Sequence, residues 1–254
     1  MNTLWRERAI KVLVKQWVII KGIPQTVNTL LGAENTYLED IENINPEDAK
    51  KKNIIIVPWF TCSQRTYTKL WSALNKDNEF NLIKIEGFAD RWKAILNASS
   101  IEKSAEMLLE TIDKIDAESV SLLGHSFGWN IAVYAELLAR EKQIASKIAK
   151  IVTLSSPLGW SLAISQLPGV NRYYRSLKDM HPDSDIIEAI RKAWRVDHRF
   201  VTLFDEIFPR SEMAFHKWDE HLLEHWHFQY MTWKKKIIQA TADEINKVML
   251  TKTR

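Results

Sequence analysis

The stretch that most narrows what this chain can fold into is residues 119–129, Ser-Val-Ser-Leu-Leu-Gly-His-Ser-Phe-Gly-Trp. Val120 to Leu123 is an apolar run, and it stops at Gly124-His125-Ser126-Phe127-Gly128. Beyond it Ile131, Ala132, Ala135, Leu138 and Ala139 recur at the spacing of one helix face. Strand, five-residue turn, helix is the context that gives Gly-x-Ser-x-Gly a meaning. A serine on so sharp a turn takes a strained backbone conformation, and its neighbours two residues away crowd the strand and the helix. Glycine at 124 and 128 removes the β-carbons that would clash there. Ser126 Oγ then stands clear of the sheet's carboxyl edge, beside a helix N-terminus whose N–H groups can receive an oxyanion. The plainer alternative is a strand-to-helix turn without chemistry.

Strand and helix patterns alternate around this turn. Asn53–Val57 is almost purely β-branched, as suits a strand buried on both faces of a parallel sheet. A helix follows at Thr66–Leu74, a strand at Phe80–Glu86 and an amphipathic helix at Ile101–Ile115. After the turn and its helix come strands at Ile148–Leu154 and Arg199–Phe204, with helix again from Lys234. This order predicts an α/β fold: a doubly wound, mostly parallel sheet. Ligands bind beyond the carboxyl ends of such strands, where Phe60, Ser126 and Asp205 all fall. Residues 160–194, with Trp160, Leu162, Ile164, Leu167, Tyr173, Tyr174 and Trp194, read as a helical insertion capping the site. The domain is expected over 53–254, and residues 1–52 form a helical extension.

In that extension Leu4, Trp5, Ala9, Val12, Leu13, Trp17 and Ile20 share one face of a basic amphipathic helix. Packing on the body of the protein is the simpler reading, and peripheral contact with a membrane surface through 3–20 is the alternative. With 35 Lys+Arg against 32 Asp+Glu, charge makes no case for nucleic acid. One cysteine, Cys62, cannot form an internal disulfide, which suits a reducing, cytoplasmic compartment. Eleven tryptophans hint at a large apolar pocket or partner surface.

The sequence resembles the α/β-hydrolase family, particularly its small lipase-like esterases. Gly124-His125-Ser126-Phe127-Gly128 carries the closest match. Val57-Pro58-Trp59-Phe60 looks like the family's His-Gly-hydrophobic loop, and Ser155-Ser156-Pro157-Leu158-Gly159 like its lipase Thr-Pro-His-x-Gly turn. Phe204-Asp205-Glu206-Ile207-Phe208-Pro209 resembles its acid-bearing turn. The likeness runs from about Asn53 to the C-terminus. It departs from the pattern at Pro58, Trp59, Trp129 and Leu158.

The resemblance implies a serine hydrolase acting on a carboxylic ester or thioester with an apolar acyl group. Ser126 would be the nucleophile, Asp205 the acid, and the N–H groups of Phe60 and Phe127 the oxyanion hole. The base is expected after the last strand and before the terminal helix. His225 is the first choice, with His227 and then His221 as alternatives. Acyl transfer by the same triad, or a non-catalytic scaffold binding an apolar ligand or protein, are the rival functions. No cofactor is implied. His221 and His225 with Glu224 do not make a metal motif.

Overall fold

The computed structural model describes residues 51–58, 63–77, 79–89, 100–143, 147–154, 178–180, 183–194, 200–204, 220–222 and 235–250. In chain order these hold β1 (Lys52–Val57), α1 (Thr68–Leu74), β2 (Phe80–Leu82), α2 (Glu86–Ala89), α3 (Ile101–Lys114), β3 (Val120–His125) and α4 (Gly128–Glu141). They continue with β4 (Ile148–Leu154), α5 (Asp185–Trp194), β5 (Phe200–Phe204), β6 (Glu220–Leu222) and α6 (Lys235–Leu250). A short 3₁₀ turn, Gln64–Tyr67, leads into α1.

The strands form one sheet in the order β2-β1-β3-β4-β5-β6, and every pairing is parallel. The chain steps outward from β1 to β2, then returns to lay β3 on the other side of β1. The order therefore reverses between β1 and β3, the point beyond whose carboxyl ends sheets of this kind bind their ligands. That is the doubly wound sheet expected from the sequence.

Strand geometry sends alternate side chains to opposite faces, and the core divides accordingly. Ile55, Val57, Leu122 and Ile151 join one apolar cluster with residues of α3, α4 and α5. Ile54, Ile56, Leu123, Val152 and Leu154 join the other with residues of α1 and α6. Ile55, Ile56, Leu122 and Leu123 are fully buried, which explains the absence of polar alternation in these strands.

Helix α3 starts at Ser100, whose Oγ accepts from Lys103 N–H at 3.1 Å. Asp179 Oδ2 accepts from Ile101 N–H at 3.2 Å, tying the crossover between β4 and β5 to the same helix start. Downstream of Asp179, α5 sets Ile187, Ile190 and Ala193 into the cluster shared with α4. Residues 185–194, read from the sequence as part of a cap, thus form a crossover helix flanking the sheet. An amphipathic helix has the same pattern in either place. Residues 160–177 lie outside the described residues, as do the 3–20 helix and Cys62.

At the opposite end of the sheet two lysines meet the C-terminus of α6. Lys150 Nζ donates to Val248 O at 2.7 Å, and Lys52 Nζ lies 3.4 Å from Met249 O and Leu250 O. Cations there satisfy carbonyls that the helix leaves open and oppose its dipole. Lys150 is buried, so loss of its ammonium leaves Val248 O without that donor. Lys150→Met should cost about 1–3 kcal/mol in urea unfolding, the usual penalty for a buried group deprived of its partner.

Candidate active site

Ser126 is the turn residue between β3 and α4, at φ 48. An L-residue in this left-handed region costs roughly 1–2 kcal/mol. The surrounding contacts hold it there. Ser126 N–H donates to Leu154 O at 2.9 Å, fastening the turn to the carboxyl end of β4. Trp129 N–H reaches Ser126 O at 3.4 Å and Asn130 N–H reaches Phe127 O at 3.1 Å, as the first turn of α4 winds up.

The glycines act as the sequence suggested. A Cβ at Gly124 would stand 2.6 Å from Trp129 Cα. A Cβ at Gly128 would overlap Val57 O and stand 2.6 Å from Pro58 O. Backbone atoms cannot swing away as a side-chain tip can, so neither position admits another residue without moving an element. The N-terminus of α4 can approach β1 this closely only through Gly128.

His125 ends β3 on the face of Leu123. Its Nδ1 lies 2.5 Å from Tyr67 Oη, and the two rings meet edge-on with centroids 5.6 Å apart. Both are buried. The sequence reading of His125 as a residue packed beside the nucleophile acquires a definite partner, 58 positions away. Tyr67 carried no sequence signal for this role. Nor did Gln64, whose Nε2 donates to Ile56 O at 3.0 Å and Ile83 O at 3.2 Å. Gln64 Oε1 accepts from Ile85 N–H at 2.8 Å. A polar residue between two apolar runs looks like solvent-facing loop. Here it bonds the chain where β2 has stopped pairing.

Trp129 is fully buried in the core, and Trp71 packs with Phe80 on the other face. These two tryptophans fill the interior, and most of the others lie outside the described residues.

Of the expected site residues, Ser126 and Phe127 are described, the latter at the cap of α4. Phe60, Asp205, His225 and His227 lie outside the described residues. So do Trp59 and the turn at 155–159. His221 falls within β6, in register with Leu203, and its side chain is not among those described.

The sheet order, the switch point and the strained serine define an α/β-hydrolase fold. Among solved structures with the same fold is the RedJ thioesterase of the prodiginine pathway in Streptomyces coelicolor. It matches at TM-score 0.53 and 12% identity, covering 79% of this chain and 92% of that one. An extracellular α/β-hydrolase from a Paenibacillus species matches at 0.51 and 15%, over 78% and 98%. ClbQ of the colibactin pathway matches at 0.51 and 13%, over 79% and 97%. No curated protein matches in sequence. The chain belongs to the Mbeg1-like family, whose profile matches residues 92–242 and so takes in the turn, α4, β4, β5 and β6.

The geometry makes two substitutions informative. Gly128→Ala forces a backbone collision and should destabilise by about 3 kcal/mol or more, at the upper end of overpacking costs. Ser126→Gly removes the left-handed penalty of roughly 1–2 kcal/mol but adds about 0.5–1 kcal/mol of unfolded-state entropy. It should therefore match or slightly exceed Ser126→Ala in stability, by thermal or urea unfolding.

Proposed function

We propose that the protein is a serine hydrolase cleaving a carboxylic ester or thioester with an apolar acyl group, through Ser126, Asp205 and His225. The observation that carries this reading is Ser126 itself: an L-residue at φ 48, between two glycines that nothing larger can replace, at the switch point of the sheet. Strain of this kind persists where the surroundings enforce it, and it projects the hydroxyl beyond the strand ends.

Chain order supports the partners. β5 ends at Phe204, immediately before Asp205. β6 ends at Leu222, and His225 and His227 both fall between it and α6. His225 is the nearer to that strand end. His221 belongs to the strand itself and is the weaker candidate.

In this reading Ser126 Oγ attacks the acyl carbonyl while His225 takes its proton. Asp205 holds the imidazole's tautomer and stabilises the imidazolium. The tetrahedral oxyanion receives N–H groups from Phe127 and Phe60. Collapse expels the alcohol or thiol, with the proton returned by His225. Water, activated by the same base, then releases the acid and frees Ser126.

For the apolar acyl group the reading relies on the apolar content of the segment between β4 and α5 in the sequence, Trp160, Leu162, Ile164, Leu167, Tyr173 and Tyr174. The RedJ neighbour is described as a thioesterase, in keeping with the thioester half of the reading.

A fluorophosphonate probe should label Ser126, and Ser126→Ala should abolish labelling in a folded protein. Asp205→Asn should lower kcat by about 10⁴, the scale set by loss of a triad acid. Labelling elsewhere, or none, would remove the hydrolase assignment. Acylated Ser126 that passes its acyl group to an added alcohol or thiol, and never to water, would convert it to a transferase. Separately, kcat/KM for p-nitrophenyl esters should rise from acetate towards medium chains, by up to about 0.8 kcal/mol per methylene until the acyl site fills. A preference for acetate would exclude the lipase-like acyl site.

A further inference from the structure

We infer that Tyr67 is the positioning residue of Ser126, acting through the His125 imidazole. This rests on the hydrolase reading above, and it adds to that reading a residue that neither the Gly-x-Ser-x-Gly pattern nor the triad contains. The backbone of Ser126 is strained, so something on each side must hold it. After it, Gly128 is pressed against the Val57 and Pro58 carbonyls. At the serine, the Leu154 carbonyl takes its N–H. Before it, His125 is gripped by its side chain, with Nδ1 at 2.5 Å from the Tyr67 hydroxyl.

Tyr67 can serve as a fixed point because its 3₁₀ turn is itself clamped. Gln64, at the start of that turn, bonds Ile56 O and Ile83 O and accepts from Ile85 N–H. The path runs from the carboxyl ends of β1 and β2, through Gln64 and Tyr67, to the residue preceding the nucleophile. Every group along it is buried, so water cannot readily substitute for the hydroxyl.

Tyr67→Phe keeps the ring and removes only the O–H. In that variant the turn should relax, and displacement of a nucleophile by a fraction of an ångström should slow fluorophosphonate labelling and lower kcat about tenfold each. KM should stay within about twofold, since no substrate contact is lost. Amide exchange of the peptide spanning 124–130 should accelerate in the same variant. Lys150→Met, which loosens the far end of the sheet, is the control for general destabilisation: it should leave labelling unchanged and accelerate exchange at 124–130 no more than in the other core strands. Wild-type labelling and exchange rates in Tyr67→Phe would overturn the inference. So would a matching loss in Lys150→Met, which would reduce Tyr67 to ordinary core packing. If the native protein is not labelled at Ser126 at all, the hydrolase reading falls, and exchange at 124–130 still decides whether Tyr67 holds the turn.

Discussion

The first residue of α4 sits so close to the end of β1 that a single carbon atom could not be placed between them. Gly128 is the residue that permits it, with the Val57 and Pro58 carbonyls occupying the space a side chain would need. The rest of the site depends on this approach. It sets where α4 begins, and hence how little chain remains to turn from strand to helix. So short a turn forces Ser126 to φ 48. A longer turn would relax the serine and let its hydroxyl fall back towards the sheet. The Gly124–Trp129 contact closes the same turn from the other side.

Such a turn is only as firm as the elements it joins. β3 lies between β1 and β4, in continuous register with each apart from a shift at Val120/Ser121. α4 is buried along most of its length, from Gly128 to Ala139. Core packing on both faces of the sheet fixes strand and helix independently, and strain at the junction cannot escape by moving either. The sheet's dense apolar interior is thus what makes a strained serine affordable.

The turn and the parallel sheet were legible because their signals are local. Glycines two residues either side of a serine, after an apolar run and before a helical period, leave little freedom. Ile148–Leu154 matched the observed strand for a similar reason: aliphatic residues dominate a strand buried on both faces, here with only Lys150 and Thr153 polar. Other features depend on partners distant in sequence. The strand read as Phe80–Glu86 ends at Leu82, because the Gln64 side chain takes over bonds that a further strand residue would have made. β6, only Glu220-His221-Leu222, has neither length nor hydrophobicity to announce itself. The Asp185–Trp194 helix has an apolar stripe that suits a lid and a sheet-flanking helix equally. The contact with α4 decides between them. The His125–Tyr67 bond spans 58 positions and leaves no periodic trace.

Among the described residues the sheet is bordered by β2 and β6, and β2 is only three residues long. A parallel sheet ends in open rows of N–H and C=O groups, and a long open row is a template on which another chain can add itself. At β2 the row is cut to three residues. On the β2 side, Phe80 N–H is already committed to the Asn75 side chain at 2.9 Å. A fold whose central strands are among the most aggregation-prone compositions available, with Ile54-Ile55-Ile56-Val57 in one unbroken run, thereby keeps those strands inside and presents a stub at the β2 border.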